Sequence, residues 1–266
     1  MAISKRESVL WSIYDSSSNR TSYLMGTMHL KDHNAYTFAA LAEKYVDMAD
    51  SYAGEMHLDD AAQADLHQYF KLPDGQQLSD LYSERQYARM CTVFYKCTGV
   101  KLQTISDLKP MAISNILAEA YAYQDYGLAL DHHLWNHASK ANKMLFGLES
   151  VQDQIDILER IPMKNQITSL KQTLRNVTKY GNTIEQLGKL YAKGQVHKLY
   201  RKSKKSLGAL KSIMLYDRNA NMVSKFIEIS SEHSLFAAVG AAHLSGKYGM
   251  LHLLHAQGYV IAPVYE

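Results

Sequence analysis

The sequence predicts an α/β fold: a mixed central sheet of about six strands flanked by helices, with a large helical insertion in the middle. Three observations predict it. Short apolar runs of strand character occur near the start, near the middle and at the end of the chain. The chain opens in strand–helix–strand order, the usual beginning of an α/β sheet. The long stretches between the runs carry helical periodicity instead.

Residues 9–15 alternate apolar and polar side chains, residues 16–20 are turn material, and residues 21–25 follow as a second strand, so the start reads as a hairpin. The second strand runs into Gly26-Thr27-Met28-His29, where a glycine lets the backbone turn at the strand end. Residues 38–49 place Leu41, Tyr45 and Met48 on one helix face, and residues 50–56 follow as a short strand ending at Glu55. From about 59 to 140 nearly everything reads as helix, with a turn at residues 72–75, a helix starting at Ser79 and a break at Lys109-Pro110. Residues 143–147 return to strand, followed by Glu149 and a helix from Val151. One long helical stretch covers about 165–229. Residues 234–239 are continuously apolar, as in a central strand buried on both faces, and end at Gly240-Ala241-Ala242-His243. A helix over 247–257 and a strand over 259–264 complete the chain.

The 266 residues, 47% hydrophobic and 21% charged, suffice for one well-buried core, and without repeats or a linker the chain reads as a single domain, 1–266, with its helical insertion at about 59–140. A net charge of +3 argues against nucleic acid as a partner. The basic run from Lys198 to Lys205 reads as a solvated helix face, because the rest is nearly neutral. No stretch reaches the roughly 18 apolar residues of a membrane span. The start lacks the apolar core of a signal peptide, so the chain reads as cytoplasmic as written, or as exported if a leader has been removed. Cys91 and Cys97 stand six apart on a helix and read as reduced thiols.

Two places share one pattern, a hydrophobic strand and then Gly-x-x-His: Gly26 to His29 and Gly240 to His243. Glu55 and Glu149 end two further strands. The carboxyl ends of strands are where ligands bind in open α/β sheets. Two imidazoles and one or two carboxylates converging there suit a metal site, and they equally suit a metal-free acid–base site. His133 and His137 share a helix face but lack the glutamate of a His-Glu-x-x-His motif, so they are set aside as ligands.

Together these motifs resemble those of the TraB/GumN family, relatives of the TIKI metalloproteases and of erythromycin-esterase-like proteins. Residues 23–30 are similar to its opening motif, and Leu10-Trp11-Ser12-Ile13 suits its first strand. Leu78 to Leu81 and Leu108-Lys109-Pro110 are similar to its helical markers, although Met111 stands where the family often has tryptophan. Gly147-Leu148-Glu149-Ser150 with Gln154, Asp217-Arg218-Asn219, and residues 238–243 with Gly258-Tyr259 resemble its central and closing motifs. The resemblance covers nearly the whole chain.

The resemblance implies a hydrolase built on an α/β fold. It implies a metal-dependent one, with peptidase chemistry included, in which a divalent ion, manganese or cobalt before zinc, is held by His29, Glu55 and His243 and a peptide or small molecule is cut. Arg218 and Glu149 are matched less directly. Arg218 suits a developing charge, a substrate carboxylate or a structural ion pair, and Glu149 suits an orienting partner. In a metal-free, esterase-like alternative, Glu55 is the general base and the histidines donate protons. A further alternative is a binding or regulatory protein that keeps the fold without turnover. His29, Glu55 and His243 are expected to share one pocket, and replacing either histidine with alanine is expected to change stability by no more than roughly 1 kcal/mol. The position of Asp131 resembles an acidic one in the family, which places it near the pocket.

Overall fold

A computed structural model describes residues 7–64, 66–121 and 125–265. The predicted α/β architecture is present. Its sheet has six strands: β1 (Leu10–Asp15), β2 (Arg20–Thr27), β3 (Ser51–Met56), β4 (Met144–Glu149), β5 (Leu235–Gly240) and β6 (Val260–Val264). Their spatial order is β4-β3-β5-β2-β1-β6. The four strands β4, β3, β5 and β2 are parallel, while β1 runs antiparallel to both β2 and β6.

The helices are α1 (Ala39–Met48), α2 (Leu58–Gln63), α3 (Glu84–Thr98), α4 (Pro110–Tyr121), α5 (Leu130–Lys140), α6 (Val151–Arg160), α7 (Met163–Arg175), α8 (Val177–Ala192), α9 (Val196–Leu207), α10 (Asp217–Glu232) and α11 (Met250–Ala256). Three boundaries differ from the sequence reading. The helix expected from Ser79 is a short 3-10 turn over Leu78–Leu81, and α3 begins at Glu84. Pro110 opens α4 instead of breaking a helix, because the first helical position needs no N–H and already has the proline φ. The long stretch over 165–229 is cut into separate helices, with Gly194 at φ +65° and Gly208 at φ +55° supplying two of the turns.

The chain divides into two compact units. The first, residues up to 64, 124–154 and from 187 on, holds the sheet. Its centre is β5, buried from Leu235 to Val239 because it has neighbours on both edges and helices on both faces. α1 packs on α5, and α10 on α11; with this strand order, the right-handedness general to crossovers between parallel strands assigns the first pair to one face of the sheet and the second to the other. Phe236, Leu24, Met25, Leu134, Met222 and Phe226 are fully buried between these layers. The second unit, residues 65–123 and 155–186, is helical, with Leu78, Phe94, Leu102, Ile113 and Leu170 completely buried in its own core.

The parallel strands decide where chemistry can occur. Their carboxyl ends lie along one edge, so Thr27, Glu55, Glu149 and Gly240 come together although 213 residues separate the first from the last.

Candidate functional site

The two Gly-x-x-His turns are packed against each other. Strands β2 and β5 pair with Gly26 beside Val239 and Thr27 beside Gly240. A Cβ on Gly26 would lie 2.8 Å from the Cα of Ala241 and 2.7 Å from Leu244, so only glycine allows the first motif to approach the second. Beyond this contact the histidines part. His29 turns toward α5 and His243 toward α10.

On the α5 side, Nδ1 of His29 lies 3.3 Å from Oδ2 of Asp131, and the Thr27 hydroxyl donates to Oδ1 of the same carboxylate. Asp131 reaches His29 because the loop after β2 is laced to the loop before α5. Tyr126 N–H donates to the Lys31 carbonyl, Leu130 N–H to that of Leu30, and the Tyr36 and Tyr126 rings stack at 3.7 Å. His132 meets the His29 ring edge-on, centroids 5.6 Å apart. Burial, with the neighbouring His29, lowers the His132 pKa, which keeps its ring neutral at pH 7.

On the α10 side, Arg218 and Asn219 occupy the first turn of the helix, and both are buried. Arg218 grips two carboxylates. Its Nε and Nη2 lie 2.9 and 2.6 Å from the two oxygens of Glu149, and Nη2 is also 2.6 Å from Oε2 of Glu55. Gln154 adds an amide N–H to Glu149 at 2.6 Å. The other oxygen of Glu55 accepts the Gly240 N–H at 2.6 Å and lies 3.8 Å from Nε2 of His243. Nδ1 of His243 donates to Asn219, whose amide nitrogen donates to the Tyr248 carbonyl.

Electrostatics follow from these contacts. Burial works to raise the Glu55 pKa, but His243, charged in the acid range where Glu55 titrates, together with Arg218 and the Gly240 N–H outweighs it and holds the carboxyl down to about 2. A carboxylate so stabilised is ionised at neutral pH and is a weak base there. Burial raises the Glu149 pKa despite its hydrogen bonds to Arg218, and the charge of Glu55 adds to the rise. Burial pushes His243 down to about 4, Arg218 adding to the effect and Glu55 opposing it, so its ring is neutral at pH 7.

A cavity of about 260 Å³ opens at this edge. His29, Glu55, Asp131 and His132 supply its polar wall, and Tyr52 and Trp135 supply apolar wall. His243 does not line it and reaches Glu55 from behind. Arg218 and Glu149 likewise stand behind Glu55, outside the lining. Thus His29 and Glu55 share one cavity, while His243, Arg218 and Glu149 form the support of Glu55.

The donor set does not suit a metal ion as it stands. Both oxygens of Glu55 already accept hydrogen bonds, one of them from a guanidinium, and among the described residues no group of three His, Cys, Asp or Glu side chains could hold an ion.

A model of the TraB/PrgY/gumN family matches residues 9–263, which include both Gly-x-x-His motifs. The chain belongs to the TraB/PrgY/gumN family. Neither the curated proteins nor the solved structures gave a match. Membership says nothing by itself about the reaction.

Sequence reasoning named five of these residues and placed Asp131 near them, but missed Thr27, His132, Trp135 and the partner role of Asn219. Thr27 lies inside the first motif and Asn219 inside the Asp-Arg-Asn marker, so both were in view without a role. The two histidines that share a face of α5 serve another purpose. Nε2 of His133 lies 2.6 Å from Glu43, and Nε2 of His137 lies 2.8 Å from Asp47, which ties α5 to α1. Among the described residues, no helix is long and apolar enough to cross a membrane.

Proposed function

We propose that this member of the family is a hydrolase acting on a peptide or a small carbonyl-containing substrate. The observation that carries the reading is the His29–Asp131 pair at 3.3 Å on the wall of the strand-end cavity. The anionic carboxylate favours the tautomer with hydrogen on Nδ1, which leaves the lone pair of His29 on Nε2. From there His29 takes a proton from water as the water oxygen bonds to the carbonyl carbon. Asp131 stabilises the imidazolium that results. The same proton then passes to the leaving group as its bond to carbon breaks. Neutral His132 can donate an N–H to the oxygen that gains charge. Glu55, held ionised by Arg218 and Gly240, supplies a fixed negative charge that favours a cationic group on the substrate, such as a peptide amine. The apolar wall at Tyr52 and Trp135 favours an apolar group beside it.

A second reading, in which a cation assists, has one observation behind it. Neutral His243 turns the lone pair of Nε2 toward the Glu55 carboxylate across 3.8 Å. These are two donors, short of the three that catalytic zinc sites usually draw from protein.

The experiment is a panel of fluorogenic peptides and nitrophenyl esters, run with chelator and again with added manganese, cobalt or zinc. Turnover in chelator that is lost in His29→Ala supports the metal-free hydrolase. Turnover only with added ion, accompanied by heat in calorimetric titration, supports the second reading. Saturable binding of the panel without turnover under any condition overturns both in favour of a binding protein.

A further inference from the structure

Within the second unit, α3 and α7 pack together and leave a cavity of about 190 Å³. Arg89 from α3 and Lys171 and Arg175 from α7 stand around it, over apolar wall from Met90, Val93 and Leu174. None of the three cations has a carboxylate partner among the described residues. Elsewhere in the same unit cations are engaged: Lys71 lies 3.6 Å from Asp107, and Lys109 donates to the Tyr69 carbonyl at 2.7 Å. The two helices cannot supply the missing charge. No residue of α7 is acidic, and the sole acidic residue of α3 is Glu84 at its first position.

Three like charges around one small cavity repel each other, and an anion placed among them relieves the repulsion. Two of the three are arginines, whose planar fork matches a carboxylate. The apolar wall beside them is what a hydrocarbon chain needs and a bare inorganic anion does not. A volume below the roughly 300 Å³ at which drug-sized sites begin admits a compact head with the start of a chain, and nothing bulkier.

We propose that this cavity binds an amphiphilic carboxylate of the fatty-acid type, its head among Arg89, Lys171 and Arg175 and its first methylenes against Met90, Val93 and Leu174. The site is separate from the strand-end cavity and shares no residue with it.

Octanoate is titrated into the full chain, followed by amide NMR shifts along α3 and α7. Octyl glucoside and inorganic phosphate serve as the tail-only and head-only probes. Octanoate is expected to shift the amides of Met90, Val93 and Leu174, with each of the other probes at least about tenfold weaker because it lacks either the charged head or the chain. Arg89→Gln and Arg175→Gln, at exposed side chains, and Val93→Asp should each weaken octanoate about fivefold or more, the last by placing a like charge beside the head. Thermal melts matching the parent show that a variant is folded. The proposal is overturned if octyl glucoside binds as tightly, which marks a plain apolar groove, or if phosphate does, which marks a plain cation cluster. It is equally overturned if millimolar octanoate shifts nothing there, or if folded Arg89→Gln and Arg175→Gln bind like the parent.

Discussion

Nδ1 of His243 lies 2.5 Å from Oδ1 of Asn219, and this contact fixes which nitrogen of the ring carries hydrogen. The Asn219 amide nitrogen is committed to the Tyr248 carbonyl, so its oxygen accepts and His243 donates. A histidine held in this way, 4% exposed, behaves as part of the core. His243→Ala should therefore cost about 2–4 kcal/mol, through the cavity and the unpaired Asn219 oxygen. His29→Ala, at a side chain 67% exposed, should stay within about 0.5 kcal/mol. Chemical denaturation of the two variants separates them. The sequence-based expectation that both histidines are cheap to remove thus keeps its force for His29 alone.

The same burial gives stability a pH dependence. The His243 pKa falls from its ordinary 6.5 to about 4 on folding. The unfolded chain takes up that proton as pH drops below 6.5, and the folded one only near 4. Stability from neutral His243 is complete above pH 6.5 and is lost as pH falls from there toward 4, on the order of 3 kcal/mol in all. Glu55, lowered to about 2, acts in the same direction in the window from 4.5 down to 2. Urea melts between pH 7 and 4 should show the decline, and in His243→Gln the slope across the upper window should flatten.

Arg218 should prove indispensable to the fold. Its removal leaves Glu149, whose side chain is 1% exposed, as an uncompensated buried carboxylate. Arg218→Met should cost about 3–5 kcal/mol, and adding Glu149→Gln should recover a large part of the loss. Arg218→Lys should recover little, since an ammonium cannot span both oxygens of Glu149 while also reaching Glu55. An Arg218→Met variant as stable as the parent would show the ion cluster to be dispensable.

Asp131→Asn preserves shape and removes the charge that orients His29. Turnover should fall by about 10²–10⁴. Stability should change by no more than about 1 kcal/mol, since the Thr27 hydroxyl keeps an oxygen to donate to. The pH profile of kcat/KM is the deciding measurement. A variant that loses rate yet keeps its acidic-limb pKa would make Asp131 a packing residue instead of the orienting partner of His29.

Gly26→Ala should damage both motifs at once. The added methyl meets backbone at Ala241, which cannot move without shifting the turn that leads to His243. A cost of about 1–3 kcal/mol is expected, together with loss of activity. Gly127→Ala, where a Cβ meets nothing within 4 Å, is the matched control.

Much of this was legible in the sequence, and the exceptions have physical reasons. Strands showed themselves because β5 and the second half of β2 are continuous buried runs, and because turn residues separate β1 from β2. The strand-end glycines pointed to His29 and His243, and the strand ends themselves to Glu55 and Glu149, because parallel strands share one carboxyl edge. The burial of His243 was not legible, since it depends on a 3-10 turn over Ala241–His243 that bends the ring toward Asn219. The pairing of His29 with Asp131, 102 residues away, depends on how two loops lace together, which no local pattern encodes. Helix boundaries between 163 and 232 were blurred because the apolar periodicity continues with no proline to stop it, leaving glycine turns to make two of the breaks.

The strand order also has a consequence for how the molecule is made. The central strand, β5, is the fifth of six to be synthesised, and its neighbours β2 and β3 precede it by about two hundred residues. Until β5 emerges, both wait with unpaired, apolar edges, a state open to wrong partners. Synthesis at about 5–20 residues per second makes that wait on the order of ten seconds or more. The strand-end cavity is therefore among the last features of the chain to acquire its shape, and a nascent chain stopped before Leu235 would carry His29 and Glu55 with no Gly240 to meet them.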